Sequence, residues 1–328
     1  MSRVGREAAG GDVTPWAGTA VVAIGGNALS PAGESATVAN QFRHTRESLA
    51  PIVELAGLGW KIAVVHGNGP QVGDALLRNE CARALLPEMP LGVLVAATAG
   101  WIGYMIQQSL QNALARAGAR RGVVTLVTQV LADAAAATTR EPRKFIGRAL
   151  DPEVAEALRR DGVHVERDDH GSLRRRVPSP EPLEVVEAAV IAQLVARGEI
   201  VVAAGGGGVP AYRDAILGLE GIDGVVDKDL AAGLLAREIG AELLLILTDV
   251  DGVYEGFGTP AARRIPRLAA REARELLTSA ELGVGSMEPK VRAAVEFVEA
   301  GGERAVIAAL EDASRAVAGE VGTTVAAT

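Results

Sequence analysis

Cysteine is almost absent. A single Cys81 excludes an intrachain disulfide and fits a reducing cytosol, so the chain is expected to be cytoplasmic. Aromatic residues make up 3% of the chain against 48% hydrophobic residues overall, so Ala, Val, Leu and Ile must fill the core. A basic surplus is also missing. The net charge of −8 argues against nucleic acid or an anionic membrane as partner. A small anionic substrate stays open, because a few lysines and glycine backbone can reverse the field inside a cleft. No Walker-type Gly-x-x-x-x-Gly-Lys-Ser/Thr occurs, and no Gly-x-Gly-x-x-Gly opens a strand–helix unit. No His/Cys cluster has zinc spacing, so no protein metal ligands are expected, and Ser or Thr nucleophile signatures are missing too. Residues 1–18 have no apolar run of the secretory type and read as a flexible N-terminal extension. Leu91 to Ala115 carries no charge, but Gln107, Gln108, Gln111 and Asn112 interrupt it. Its unbroken apolar part falls short of the ~20 residues a membrane span needs, so it reads as a buried helix.

What is present is an alternation of short β-rich runs and longer helical patterns. Strands are expected at Thr19–Ile24, Lys61–Val65, Val123–Val127, Ile200–Ala203, Leu243–Leu247 and Ala305–Ala308. Helices are expected at Asn40–Leu58, 71–86 and 92–116, with a helical pattern after each later strand. Strands spaced by helices imply an α/β chain with a mainly parallel sheet covered on both faces. Residues 132–180 break the rhythm with a charged run from Glu166 to Arg176, closed by Pro178, Pro180 and Pro182. They read as an inserted subdomain or as a disordered loop. Phe145, Ile146, Leu150, Val154 and Leu158 favour the subdomain, since they can build a small core of their own.

Glycine-rich turns sit at or near expected strand ends: Gly25-Gly26-Asn27, Gly67-Asn68-Gly69, Gly205 to Gly208, and Gly283-Val284-Gly285-Ser286. In a parallel sheet the carboxyl ends of the strands form the ligand crevice. Glycine lets backbone N–H groups approach an anion there, and a following helix N-terminus adds positive potential. Several such turns point to phosphate handling. Two lysines stand near expected helix N-termini: Lys228 in Asp227-Lys228-Asp229, and Lys290 after Ser286-Met287-Glu288-Pro289, with Ser286 as N-cap. A cation there is unfavourable for stability and useful for holding phosphate. His66 beside a glycine turn is expected to be structural. Thr248 to Tyr254 after the most apolar strand reads as an ordinary turn or as the lining of a nucleotide pocket.

Taken in order, these motifs resemble the amino-acid kinase superfamily, and within it the carbamate kinases. The likeness covers about residues 20–325. It rests on Ala23-Ile24-Gly25-Gly26-Asn27-Ala28, His66 through Gly73, Ile102 through Gln108, and Val177-Pro178-Ser179-Pro180. It rests equally on Gly205 through Pro210, Val226 through Ala231, Thr248 through Tyr254 with Phe257-Gly258-Thr259-Pro260, and Gly285 through Val291. The resemblance implies an open αβα sandwich with a protruding subdomain at 132–180. Residues 19–236 would bind the acceptor and 237–328 the nucleotide. Many superfamily relatives carry Lys where this chain has Ala23, and Lys144 of the insert is the implied replacement. The chain departs from the family pattern around that lysine, with Pro142-Arg143-Lys144-Phe145-Ile146-Gly147 for Pro-Thr-Lys-Pro-Ile-Gly and Arg148-Ala149-Leu150 for Pro-Phe-Tyr. It departs again in the helix before Ile102, with Ala97-Thr98-Ala99-Gly100 for Met-Ser-Gln-Gly.

The implied reaction is ATP plus carbamate in equilibrium with ADP plus carbamoyl phosphate, with Mg²⁺. The implied roles are Lys228, Lys290 and Lys144 as catalytic cations with Asp229 orienting the first two. Gly25, Gly26 and Asn27 would cradle the transferring phosphate, and Gly67, Asn68, Gly69, Gly206 and Gly207 the acceptor. Thr248, Asp249, Val250, Tyr254, Met287 and Pro289 would line the nucleotide pocket. A homodimer is implied, in part through Leu91–Ala115. Alternatives are a superfamily kinase with another small carboxylate or phosphate acceptor, and a non-catalytic nucleotide-binding protein on the same fold.

Overall fold

Alternate residues of the central strands face opposite layers, and that alternation builds the molecule. A computed structural model describes residues 16–31, 33–137, 141–168, 171–278 and 287–328. Its main sheet has eight strands: β1 (Gly18–Ile24), β2 (Trp60–His66), β3 (Val123–Thr125), β4 (Ile200–Val202), β5 (Leu243–Thr248), β6 (Arg267–Ala269), β7 (Arg304–Ala309) and β8 (Thr323–Ala326). The spatial order is β6-β8-β7-β5-β1-β2-β4-β3. All neighbours run parallel except β7 and β8, which are antiparallel.

Val21 and Ala23 of β1, Ala63 and Val65 of β2, and Leu244 and Ile246 of β5 face one layer. That layer is made by α7 (Ala188–Ala196), α8 (Lys228–Glu238), α9 (Ala270–Thr278) and α10 (Met287–Glu299). The residues between them, such as Val22, Val64 and Leu245, face the other layer, built by α3 (Ala50–Gly57), α5 (Leu91–Arg116) and α11 (Ala313–Val317). The open αβα sandwich is therefore present. α5 turns Ile102, Ile106, Leu110 and Leu114 into this core. Among the described residues no helix is long and apolar enough to cross a membrane.

Two helical expectations are corrected. The single helix expected over Asn40–Leu58 is two, α2 (Val38–Ser48) and α3, because Pro51 lacks an N–H and its ring conflicts with the carbonyl four residues back. No helix directly follows β4 or β5. After β4, glycine-rich 205–208 forms a tight turn instead, and Val209–Asp214 and Gly218–Gly221 continue as a hairpin. Four glycines and Pro210 give that stretch no helical preference. After β5 the antiparallel pair Val253–Glu255 and Arg263–Ile265 comes before β6 and α9.

The insert is folded. Lys144–Ile146, Leu173–Val177 and Val165–Arg167 form an antiparallel three-stranded sheet, packed on α6 (Pro152–Arg160). Ala155 and Val165 are buried within it, while Ile146 and Val177 pack against Val72 of α4 (Gly69–Ala82), Leu91, Leu94 and Val95 of α5, and Val225. Of the five core residues expected there, Ile146 is buried, Phe145, Leu150 and Leu158 are half-buried, and Val154 is exposed. Phe145 carries the Arg176 guanidinium on its ring at 5.1 Å. The subdomain meets the body at α4, where the Gly147 N–H donates to the Gly69 carbonyl at 2.9 Å.

Candidate active site

The carboxyl ends of β1, β2, β4 and β5 open into one cleft of about 210 Å³. The first two glycine turns are stacked within it. A Cβ on Gly67 would lie 2.7 Å from the Gly26 nitrogen and 3.2 Å from Cδ of Lys228, so only glycine allows the two turns and the lysine stem to meet. Asn68 is buried and donates to the Thr98 hydroxyl at 2.9 Å. Thr98 in turn donates to the carbonyl of Leu94, one turn back in α5, at 2.8 Å. His66 is fully buried, and its Nδ1 donates to the Gly67 carbonyl at 3.0 Å. Burial pushes its pKa down to about 4, so the ring is neutral and structural, as expected.

The cations converge from three elements. Lys228 is the first residue of α8, whose N-cap Asp227 accepts the Asp229 N–H at 2.8 Å. Lys290 lies in the first turn of α10, behind Pro289. The Asp229 carboxylate, only 4% exposed, bridges Lys228 Nζ at 2.5 Å and Lys290 Nζ at 3.2 Å. Burial pulls the Lys228 pKa down, against the pull of Asp229 in the other direction. Lys144 enters from the subdomain and pairs with Asp227. Burial alone would raise the Asp227 pKa. The Lys144 and Lys228 ammonium groups and the Asp229 N–H outweigh it and hold the carboxyl well below the usual range.

Gly25, Gly26, Gly67, Asn68, Gly69, Gly206, Lys144, Lys228, Asp229, Thr248, Asp249, Pro289 and Lys290 all line this cleft. Gly207, Val250, Tyr254 and Met287 do not. Gly207 is pressed on Val226, whose carbonyl would stand 2.4 Å from an added Cβ. The Tyr254 hydroxyl donates to Asp251 at 2.7 Å, and its ring packs edge-on against Phe257. Met287 packs partly buried on the core of the α8–α10 layer. Asn27 belongs to the short helix α1 (Gly26–Leu29). The turn at 283–286, with the N-cap role expected of Ser286, lies outside the described residues.

Sequence reasoning missed Arg174, which lines the cleft beside Lys144. Three successive arginines gave no signal for which one faces inward. Arg175 is spent on a bidentate pair with Glu80 of α4 at 2.7 and 2.8 Å, and Arg176 pairs with Glu166 at 2.7 Å. Asp227 was visible only as a flank of Lys228. Arg143 pairs with Glu141, and Arg148 reaches the Ser30 hydroxyl at 2.7 Å and Asp74 at 3.4 Å. Neither lines the cleft, so Lys144 is the insert's lysine at the site.

Among the described residues no group of three or more His, Cys, Asp or Glu side chains is placed to hold a metal. Of the three cleft aspartates, Asp227 and Asp229 are already paired with lysines, which leaves Asp249. This donor set fits a Mg²⁺ that arrives on nucleotide phosphates rather than one held in a protein cage.

Comparison with known proteins bears on this geometry. The amino acid kinase family model matches residues 18–309. A carbamate kinase of Pyrococcus furiosus is 41% identical over 308 residues, covering 93% of this chain and 98% of the relative. Among solved structures, the chain is similar to carbamate kinase from Giardia lamblia bound to citric acid, with TM-score 0.88 and 36% identity over 94% of this chain and 98% of that one. The same Giardia lamblia protein bound to AMP-PNP gives TM-score 0.84 over the same shares of both chains.

Proposed function

The chain belongs to the amino acid kinase family, among its carbamate kinases, and from that premise we propose that its cleft moves a phosphoryl group between ATP and carbamate. One observation carries the reading: Asp229 clamps Lys228 and Lys290 together at the mouth of the stacked glycine turns, with Lys144 facing them from the subdomain. In the forward direction a carbamate oxygen bonds to the γ-phosphorus, and the bond to the β–γ bridging oxygen breaks. The products are carbamoyl phosphate and ADP. Carbamate is already an anion, so the step needs no general base, which accords with a cleft whose nearest imidazole among the described residues, His66, is buried. Phosphoryl transfer asks for positioning and charge neutralisation, and three lysines supply both.

In this reading Lys228 and Lys290 neutralise the moving phosphoryl group, and Asp229 fixes their ammonium groups. Gly25, Gly26 and Asn27 cradle the phosphate. Gly67, Asn68, Gly69 and the Gly206–Gly207 turn hold the acceptor, with Asn68 oriented by Thr98. Thr248, Asp249 and Pro289 face the nucleotide, with Val250, Tyr254 and Met287 around its outer part. Mg²⁺ supplies further neutralisation across the nucleotide phosphates when bound. Residues 19–236 serve the acceptor and 237–328 the nucleotide. Lys144 stands in for the cation missing at Ala23, and its subdomain moves as a lid to admit reactants. The working form is a cytoplasmic homodimer, in keeping with a free Cys81 and a partly exposed α5 that carries no charge from Leu91 to Ala115.

A coupled assay of ATP formation from carbamoyl phosphate and MgADP tests the assignment. Turnover that requires Mg²⁺ is expected. Folded protein that binds ADP and gives only the uncatalysed rate would exclude carbamate as the acceptor. Lys144→Ala should reduce kcat/KM for carbamoyl phosphate by about 10²-fold, the cost of one preorganised charge, and leave ADP affinity nearly intact.

A further inference from the structure

A negative charge stands where an anion is to bind. Asp227 lines the cleft, and its carboxylate remains ionised because Lys144, Lys228 and the Asp229 N–H outweigh the effect of burial. Such a charge weakens anion binding unless it has a use of its own.

Its two oxygens have separate partners. Oδ1 accepts the Asp229 N–H and so caps α8. Oδ2 takes Lys144. Lys144 differs from the other two cleft lysines in where it comes from. Lys228 and Lys290 sit on helices of the body and share Asp229. Lys144 sits on the first strand of the subdomain, paired with Val177 in its neighbour. The chain after that neighbour is strapped to the segment that leads into Asp227, with the Val225 N–H donating to the Pro178 carbonyl at 2.9 Å. Asp227 and Lys144 therefore face each other across the joint between subdomain and body. Their side chains are 19% and 24% exposed, so the pair lies within reach of an entering ligand.

We propose that Asp227 is a positioning residue: its carboxylate holds Lys144 over the cleft while no reactant is bound, and the transferring phosphate then displaces it as the partner of Lys144. The proposal rests on the phosphoryl-transfer reading above. It gives the subdomain two bound conditions, one tied to Asp227 and one tied to the reactant, with Lys144 as the common element. It also separates the two aspartates that flank Lys228. Asp229 is a permanent clamp between body lysines, whereas Asp227 is a partner given up at each turnover.

Asp227→Asn separates capping from charge, because the carboxamide oxygen still accepts the Asp229 N–H while the counter-ion is gone. Hydrogen exchange followed by mass spectrometry reads the subdomain directly. In ligand-free protein the variant should exchange fivefold or more faster than wild type over 144–146 and 173–177. With saturating AMP-PNP and Mg²⁺ the two should match, since the terminal phosphate has replaced Asp227. KM for carbamoyl phosphate should fall threefold or more in the variant, because the reactant no longer competes with Asp227, and kcat should not rise. In a Lys144→Ala background the same substitution should move KM by less than half as much. Asp227→Ala, which loses the cap as well, should lower Tm where Asp227→Asn does not. Equal exchange in ligand-free wild type and Asp227→Asn would overturn the proposal, as would an undiminished KM shift without Lys144. Absence of carbamoyl phosphate turnover in wild type would fail the carbamate reading alone, since the exchange comparison with AMP-PNP decides the role of Asp227 by itself.

Discussion

Lys290 and His66 are both buried, and their burial has opposite consequences for testing. Lys290 pairs with Asp229 at 3.2 Å in the cleft, where one preorganised cation is worth roughly 3 kcal/mol to a transition state. Lys290→Ala should lower kcat by about 10²-fold or more and weaken nucleotide binding less. A variant with near wild-type kcat would remove Lys290 from the catalytic set. His66 is neutral in the fold down to about pH 4, against an ordinary value of 6.5. The unfolded chain thus binds the proton first. The stability from neutral burial is complete above pH 6.5 and is lost as pH falls toward 4, by about 3 kcal/mol in all. Denaturant unfolding at pH 7.5 and 4.5 checks this. His66→Asn should be less stable than wild type at pH 7.5, and the gap should narrow at pH 4.5; parallel losses would rule out His66 as the source. At this scale the sequence was informative where chemistry and local geometry coincide. Lys228, Asp229 and Lys290 lie at helix starts beside glycines, and the cleft gathers them. Thr98 and Arg174 were not legible, since Thr98 acts through Asn68, thirty residues away, and nothing in the run Arg174-Arg175-Arg176 marks which guanidinium faces the cleft.

Elements place these residues, and the least regular element places the most critical one. The subdomain touches α4 where two glycines meet: a Cβ on Gly73 would lie 2.1 Å from Cα of Gly147. Backbone, not a flexible side chain, fills that space, so any larger residue must push the subdomain off the helix. Gly73→Ala gains about 1 kcal/mol of helix propensity and loses this contact. The displacement should dominate, because Lys144 lies three residues before Gly147 and must still reach the cleft. A tenfold or greater fall in kcat/KM for carbamoyl phosphate is expected, with ADP affinity within twofold of wild type. Steady-state kinetics and ADP titration would show it, and unchanged kcat/KM would mean that the contact does not set the position of Lys144. The sequence pattern captured six of the eight main-sheet strands to within about two residues at each end, because buried parallel strands are unbroken apolar runs. It missed β6 and β8, which are short and mix Arg267, Thr323 and Thr324 with few apolar residues. It failed at Pro51, where hydrophobic periodicity carries across a break the backbone cannot avoid. It also failed after β4, where a glycine run was read as the approach to a helix and is a turn into a hairpin.

At the scale of the whole molecule, the cleft lies where connections diverge between two neighbouring strands, β1 leading to β2 on one side and β5 leading to β6 on the other. That position follows from strand order, and strand order was only implied by the family likeness, not by any local pattern. The same holds for assembly. α5 runs for 26 residues, buries Ile102, Ile106, Leu110 and Leu114, and leaves Val93 and Tyr104 about half exposed, at 49% and 55%. No charged residue occurs from Leu91 to Ala115, so the outward side of this helix offers water only uncharged groups, the amides of Gln108, Gln111 and Asn112 among them. A free surface helix carries charges on its outer side. An identical helix from a second copy, related by a twofold axis, would cover this one with a self-complementary face. Light scattering at micromolar concentration should therefore return twice the 33.8 kDa of the chain. Val93→Lys combined with Tyr104→Glu places charges on that face without touching its buried side. The pair should shift the mass toward the monomer and leave the fold intact by circular dichroism. Its effect on kcat should be small, since neither residue lines the cleft. A wild-type monomer would contradict the dimer. A variant that stays dimeric would place the twofold contact elsewhere, with the exposed Ile216 and Leu217 at the hairpin tip as the next surface to substitute.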